Sequence, residues 1–311
     1  MEETFRSILV PVDGSVQSKT SQEMAVFVSK LFRSQVTIMH VVSNELLTLT
    51  GRAYSPRDSY APISTAAGQF PRTLSLPRTS EYFFPDEVIR EVTERQMEKG
   101  QTLLADSAAV FAQEGITTKQ RLVEGADAAK TITTEAETGN HDLIIMGNSG
   151  NEENEHDLHL GSIAAKVTST AKTPVLIVRK KTKISKILVP VDGSPKEKEA
   201  LKKAFTIAKA TGAKVTLLHV QEKSLLKLKP EIREIGLQIL NQASAVMKEI
   251  PTEQKLVSGD PANTIIQTAE QSDVDLIVIS KGGHHHLRGF PLGSVSDHVL
   301  HHATVPILLV K

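Results

Sequence analysis

The sequence predicts an α/β protein made of two tandem doubly wound domains, each with a mainly parallel five-stranded sheet flanked by helices. The octapeptide Ile-Leu-Val-Pro-Val-Asp-Gly-Ser occurs twice, at residues 8–15 and at residues 187–194. In both halves short β-branched runs alternate with helical patterns, which is typical of a parallel sheet covered on both faces. The chain of 311 residues is long enough for two such domains.

The two halves are copies of one unit. The octapeptides are offset by 187 − 8 = 179 residues, whereas the run that starts at Asp142 matches the run at Asp275 with an offset of 275 − 142 = 133. The first half therefore holds 179 − 133 = 46 additional residues between these points. A repeat of this kind indicates duplication of one domain. We place the first domain at residues 1–181 and the second at residues 182–311.

Ten apolar runs are predicted strands. In the first half they are Ile8–Val12, Val36–Val41, Lys119–Val123, Leu143–Met146 and Val175–Val178, and in the second Ile187–Val191, Val215–Val220, Gln254–Val257, Leu276–Ile279 and Ile307–Val310. Apolar residues at helical spacing predict helices between them, among them Ser18–Leu31 and Glu87–Gln113. Pro195 and Pro261 each follow a turn, and each is predicted to start a helix.

Two polar segments interrupt the repeat. Residues 44–85 are rich in proline and arginine and have no sustained periodicity, so we interpret them as a long inserted loop. An alternative is a flap that brings an arginine to a phosphate. The basic run 179–186 joins the halves and is interpreted as a solvated linker.

Composition limits the function classes. Lys plus Arg and Asp plus Glu both total 36, so no net charge attracts nucleic acid or an anionic membrane. The aromatic content of 4% argues against a base-stacking surface, and no apolar run approaches the roughly 20 residues that span a bilayer. The chain has no cysteine and no signal-peptide pattern at Met1, and we expect a cytoplasmic protein without nucleic-acid or membrane partners.

A glycine-marked loop follows the predicted fourth strand of the second half. Nine residues separate Gly283 from Gly293, enough chain to form an arch, and Ser294 then opens a helix. The free N–H groups of a helix N-terminus favour an anion such as phosphate. The first half has a similar arch, in which ten residues separate Gly150 from Gly161.

The ends of the predicted strands are the second place where chemistry is expected. In an open parallel sheet the ligand crevice lies beyond the carboxyl ends of the strands, where the strand order reverses. Asp192 at such an end can accept a hydrogen bond from an adenine amino group or a ribose hydroxyl, and the backbone of Val220 can bond the adenine edge. The alternative is a plain strand–turn–helix junction, with Asp192 or Ser194 as the N-cap.

Together the doubled octapeptide, the arch that ends in Gly293-Ser294-Val295-Ser296 and the final run 305–310 resemble the universal stress protein family. The resemblance covers nearly the whole chain as two tandem copies. It implies a five-stranded doubly wound fold and, in one branch of the family, ATP held by a Gly-x-x-Gly-x9-Gly-Ser/Thr motif. Another branch lacks that motif and does not bind ATP.

The resemblance implies two sets of nucleotide-binding residues. The second half offers Pro190, Asp192, Val220, Ser280, Gly283, Gly293, Ser294, Val295 and Ser296. The first half offers Pro11, Asp13, Val41, Gly147, Gly150, Gly161 and Ser162.

The sequence favours the second half as the occupied site. There Ser280 replaces the first glycine of the motif, and we expect only a modest loss from this small side chain. The first-half arch is one residue longer and contains four acidic residues, which would repel a triphosphate unless they turn outward or bind a divalent cation. Ala164 also lacks the hydroxyl of Ser296.

The histidines and the basic residues of the second arch support no definite site. His284–His286 lie in the second arch, and His298, His301 and His302 share one helix face, but we predict no metal site from them. Lys281 and Arg288 would make the arch positive near phosphate, with solvated loop residues as the alternative. The sequence contains no Walker motif and no separate base motif, so the protein is predicted to be at most a weak ATPase.

These observations lead to one main hypothesis and two rivals. The main one is an adenine-nucleotide-binding stress-response protein that couples occupancy by ATP or AMP to partner interaction or stress survival. Mg²⁺ would accompany ATP, and the halves would pair as a pseudo-dimer within a homodimer. One rival is an interaction scaffold with degenerate nucleotide sites, and the other is an enzyme of the related adenine-nucleotide-dependent superfamily.

Overall fold

The computed structural model describes residues 5–43, 86–150, 159–179, 183–221, 231–282 and 292–311. The described strands are β1 Ser7–Pro11, β2 Gln35–Ser43, β3 Thr118–Gly125, β4 Leu143–Gly147, β5 Val175–Val178, β6 Lys186–Pro190, β7 Lys214–Gln221, β8 Thr252–Ser258, β9 Leu276–Ser280 and β10 Ile307–Val310. The described helices are α1 Val16–Phe32, α2 Asp86–Gln113, α3 Ala128–Thr138, α4 Ser162–Thr170, α5 Glu197–Thr211, α6 Glu231–Val246, α7 Pro261–Gln271 and α8 Ser294–His302.

The predicted fold class is confirmed. The strand order β3-β2-β1-β4-β5 in the first half is repeated as β8-β7-β6-β9-β10 in the second, and neighbours within each half are parallel. Strands β5 and β10 pair antiparallel, with Leu176 opposite Leu308, and this joins the halves into one ten-stranded sheet. The predicted pairing of the halves as a pseudo-dimer therefore occurs within one chain.

The strands are apolar on both faces because helices cover both sides of the sheet. Ile8 and Val10 point into one core cluster and Leu9 into the other, and all three are fully buried. Each cluster also contains residues of the second half, such as Val189 on the first face and Leu188 on the second. The two halves therefore share a continuous core on each face of the sheet.

Two details differ from the sequence-based expectation. Pro261 starts α7 as predicted, but α5 starts at Glu197, two residues after Pro195. The interpretation of 179–186 as a solvated linker is wrong for Arg179, whose side chain is only 4% exposed. The Arg179 guanidinium donates a 2.6 Å hydrogen bond to the carbonyl of Leu300 in the second half. The inserted segment 44–85 lies outside the described residues.

Candidate functional site

A cavity of about 420 Å³ opens at the carboxyl ends of β1, β2 and β4 in the first half. This is the place where the strand order reverses between β1 and β4, and the volume suits a small-molecule site. All seven first-half residues singled out from the sequence line it: Pro11, Asp13, Val41, Gly147, Gly150, Gly161 and Ser162. The fold therefore brings this predicted set together, and its role in binding stays a prediction.

The loop after β1 is held in place by its own polar side chains. One oxygen of Asp13 accepts hydrogen bonds from the backbone N–H and the hydroxyl of Ser15, at 3.0 and 2.7 Å. The Ser15 hydroxyl in turn accepts from the N–H of Ser18 and caps α1. Asp13 is thus fixed at the cavity edge, where it can accept hydrogen bonds from a ligand.

The first arch passes close to its surroundings at its glycines. A Cβ on Gly147 would lie 2.8 Å from the backbone of Gln17 in α1, and one on Gly150 would lie 2.6 Å from the second oxygen of Asp13. A Cβ on Gly161 would lie 3.1 Å from the Cα of Ser149. The arch closes through a 2.7 Å hydrogen bond from the Gly161 N–H to the carbonyl of Asn148. These approaches leave backbone N–H groups beside the cavity without intervening side chains.

The helix that follows each arch starts without a side-chain cap. Gly161 and Gly293 occupy the N-cap positions of α4 and α8, and neither helix has a side-chain cap hydrogen bond. By contrast, Asp127 caps α3 and Asp260 caps α7. An uncapped N-terminus leaves N–H donors and a positive partial charge available for an anion.

Each half has a histidine in its second strand that was not among the predicted nucleotide-binding residues. His40 in β2 lines the cavity and donates a ring N–H to the carbonyl of Val12 at 2.7 Å, and His219 donates to Val191 in the same way at 2.7 Å. Gly100 in α2 lets the helix approach His40 closely. The signal in the sequence was the matched histidine of the repeated second strand.

The corresponding region of the second half is only partly described. Gly283, His284–His286 and Arg288 lie outside the described residues, as do the four acidic residues of the first arch. Gly293 closes the second arch with a 2.9 Å hydrogen bond to the carbonyl of Lys281. The Ser296 hydroxyl donates to the carbonyl of Ser280 at 2.8 Å, so it would have to leave that partner to reach a phosphate.

The strand-end loop of the second half differs from that of the first. The helix N-cap position of α5 is Lys196, so neither Asp192 nor Ser194 caps the helix as the alternative interpretation required. Instead the Glu197 carboxylate accepts hydrogen bonds from the N–H groups of Asp192 and Gly193, at 2.7 and 2.8 Å. Pro190 ends β6 beside this loop, and Val220 lies near the end of β7. Glu197 was not singled out from the sequence.

The expectation that Lys281 makes the second arch positive near phosphate is wrong, and so is the alternative of a solvated residue. Its ammonium donates hydrogen bonds to the carbonyls of Ser169 and Ala171 at the end of α4, both at 2.7 Å. Burial, together with the nearby charge of Lys311, lowers the pKa of Lys281 to about 8. The side chain therefore links the two halves.

The described histidines of α8 form ring contacts. The rings of His298 and His302 lie 4.3 Å apart, His301 lies 3.8 Å from Asp297, and His159 of the first arch lies 6.3 Å from His301. Within the described part of the chain, no group of three or more His, Asp or Glu side chains could hold a metal ion. Also among those residues, no helix is long and apolar enough to cross a membrane.

Comparison with known proteins decides the family. The model of the universal stress protein family matches residues 75–179 and again residues 183–311. The chain belongs to the universal stress protein family. The match at 183–311 covers strands β6 to β10. The match at 75–179 begins before α2 and covers strands β3 to β5.

Relatives in this family have both one and two domains. A universal stress protein of Bacillus subtilis is 31% identical over 146 residues, which is 41% of this chain and 99% of that protein. One from Mycobacterium tuberculosis is 24% identical and covers 98% of this chain and 96% of its own length. The crystal structure of a universal stress protein from Archaeoglobus fulgidus superposes with a TM-score of 0.65 at 19% identity, covering 98% of both chains. The last comparison supports the tandem fold.

Proposed function

We propose that this universal stress protein binds an adenine nucleotide, ATP or AMP, in the cavity of its first half. The observation that carries the proposal is the convergence of Asp13, the glycine arch and the uncapped N-terminus of α4 on one cavity. The family resemblance of the arch supports a nucleotide as the ligand. In the second half, Gly283 and the nucleotide contacts of Asp192, Ser280, Gly293, Ser294, Val295 and Ser296 stay predictions.

Different parts of the cavity lining would contact the adenine, the ribose and the phosphates of a nucleotide. The Asp13 carboxylate would accept from the ribose or the adenine amino group, and the backbone at Val41 would meet the adenine edge. The phosphates would lie under the arch, at the N–H group and the hydroxyl of Ser162, because the N–H of Gly161 already donates to the carbonyl of Asn148. Asp13 is the acidic side chain among the described lining residues, so Mg²⁺ that comes with ATP would be held chiefly by the phosphates.

The proposed role is signalling rather than rapid chemistry. Phosphate would order the arch and so change the surface around α4. This surface would couple occupancy to a partner protein or to survival under stress, in the cytoplasm and in a homodimer. Among the described lining residues, Asp13, His40 and His159 could act as a general base for hydrolysis. Asp13 and His40 already make hydrogen bonds with residues of the loop after β1, so any ATPase activity is expected to be slow.

A scaffold without nucleotide is the second candidate. The observation that favours it is the joining of the halves by the pairing of β5 with β10 and by the hydrogen bonds of Arg179 and Lys281, which needs no ligand. In this case the cavity would be a remnant of the nucleotide-binding members of the family.

Native mass spectrometry of the purified protein separates the two candidates, with chromatography of any released small molecule. Retained AMP or ATP, or binding of added nucleotide, supports the proposal. A protein that carries no nucleotide and takes none up at millimolar ATP or AMP would leave the scaffold as the better account.

A further inference from the structure

The strand-end loops of the two halves differ at one position in a way that concerns the ligand. Glu197 corresponds to Ser18, since 197 − 18 = 179 is the offset of the repeated octapeptide. Ser18 lines the cavity of the first half. Both side chains are buried, with exposed fractions of 8% for Glu197 and 4% for Ser18. A buried carboxylate therefore stands where the first half has a buried hydroxyl.

In the first half, Ser18 adds no charge to the loop after β1, where Asp13 is the charged residue. The Ser18 hydroxyl lies 3.3 Å from the N–H of Asp13, and its own N–H is capped by Ser15. Helix α1 consequently starts at Val16, immediately after the octapeptide. The cavity edge here contains short, neutral side chains and one carboxylate.

In the second half the carboxylate reorganises the same loop. The Glu197 carboxylate accepts hydrogen bonds from the N–H groups of both Asp192 and Gly193. Helix α5 starts at Glu197, whereas α1 starts directly after the octapeptide. The Ser194 hydroxyl, which is the counterpart of the capping Ser15, is buried and has no hydrogen-bond partner among the described residues. In this loop, hydrogen bonds to the Glu197 carboxylate therefore replace the serine cap that starts the helix in the first half; we call this arrangement of Asp192, Gly193 and Glu197 the carboxylate clasp.

The clasp also adds charge next to Asp192. Burial raises the pKa of Glu197, and the nearby charge of Asp192 raises it further, while the two backbone N–H bonds act in the opposite direction. Two carboxyl groups that lie close together in one loop oppose each other's ionisation. An anionic nucleotide placed against this loop would meet both.

We infer that Glu197 is a specificity-determining residue that closes the second half to adenine nucleotide, so that the chain takes one nucleotide, in its first half. The inference rests on the proposed function of the first-half cavity. Its physical basis is that a nucleotide placed against this loop would lie beside the carboxyl groups of both Glu197 and Asp192, whereas the described lining of the first-half cavity includes the one carboxylate of Asp13. The sequence alone favoured the second half as the nucleotide site, and the inference favours the first half. Nothing yet tests either ranking.

Exchange of the two residues tests the inference. Equilibrium dialysis with labelled ATP measures nucleotides bound per full-length chain in the wild type, Glu197→Ser and Ser18→Glu. We expect one in the wild type, two in Glu197→Ser and none in Ser18→Glu. The double exchange should return the stoichiometry to one. Glu197→Gln keeps an acceptor for the loop N–H groups but removes the charge, and a gain in this variant too would assign the effect to charge.

A second substitution locates the gained site. Gly161→Val blocks the first arch, so Glu197→Ser in the Gly161→Val background should bind one nucleotide where Gly161→Val alone binds none. Circular dichroism verifies that each variant is folded. The two Glu197 variants decide the question even if Ser18→Glu does not fold.

The outcomes separate the inference from the proposed function. A wild type that binds two nucleotides, or a Glu197→Ser variant that still binds only one, overturns the inference while the proposed function stands. A wild type that binds none while Glu197→Ser binds one overturns the proposed first-half site but supports the role of Glu197. No binding by either protein overturns both.

Discussion

Lys281, which directly follows strand β9 of the second half, donates a 2.7 Å hydrogen bond to the carbonyl of Ala171 at the end of α4 in the first half. Arg179 of the first half makes the reciprocal contact, with the carbonyl of Leu300 in α8. In each direction a cation, partly buried for Lys281 and buried for Arg179, meets the negative C-terminal end of the helix that follows an arch. The two candidate phosphate sites are thus joined through α4 and α8.

Replacement of Lys281 by Met tests this link. The substitution leaves the carbonyls of Ser169 and Ala171 without their donor, and hydrogen bonds to charged groups contribute about 1.5–3 kcal/mol. Partial exposure of Lys281 reduces this value, so we expect the free energy of unfolding to fall by about 1–2 kcal/mol in urea denaturation. The exposed Lys99→Met of α2 is the control and should change it by less than about 0.5 kcal/mol. Equal stability of the two variants would contradict the link.

The pH dependence of the same side chain has a definite sign. The pKa of Lys281 is lowered to about 8 in the folded chain, against the usual value of 10.5. Between these values the unfolded chain binds more protons, so this group makes the free energy of unfolding rise with pH. The stability difference between wild type and Lys281→Met should therefore grow from pH 7 to pH 10. A difference that shrinks would mean that the two carbonyls hold the pKa above its usual value.

Gly100 tests the close approach of α2 to His40. A Cβ at this position would lie 2.9 Å from a ring carbon of His40 and 2.7 Å from a methyl group of Leu122. Alanine gains about 1 kcal/mol of helix propensity, whereas overpacking costs about 1–3 kcal/mol. Because the His40 ring is fixed on Val12, we expect Gly100→Ala to lower the melting temperature. Substitution of the neighbouring exposed Gln101 by alanine is the control and should not lower the melting temperature. A higher melting temperature for Gly100→Ala would show that the helix moves away from His40 without strain.

The two arch glycines rank the halves as nucleotide sites. A Cβ on Gly161 already crowds Ser149, and valine adds two methyl groups in front of the N-terminus of α4. With the ligand in the first half, Gly161→Val should abolish nucleotide binding and Gly293→Val should leave it within about threefold of wild type. Calorimetric titration of both variants measures this. The opposite ranking would restore the second half as the principal site, as the sequence alone predicted.

The sequence predicted the parts of the fold that depend on repeated local patterns. The octapeptide at Ile8 and Ile187, the alternation of strands and helices and the placement of both arches were sufficient for the fold class. The boundary near residue 181 stays a prediction, because residues 180–182 lie outside the described chain. The seven first-half site residues were implied by the resemblance to the family, and the structure places all of them around one cavity.

The features that escaped prediction depend on contacts across the chain. Arg179 looked like part of a basic linker, and its burial follows only from the antiparallel pairing of β5 and β10. Lys281 belonged to an arch by sequence, but its side chain reaches a helix 110 residues earlier in the chain. Glu197 resembled any glutamate in a first helical turn, and its contact with the loop requires that α5 start late. Periodicity contains no information on any of these distances.

The most direct test of the account is the stoichiometry of adenine nucleotide binding to the unmodified full-length protein, measured by isothermal titration with ATP and AMP. The account predicts saturable binding of one nucleotide per chain. The absence of binding at millimolar nucleotide would contradict its central claim, that the cavity between Asp13 and Gly161 is a nucleotide site.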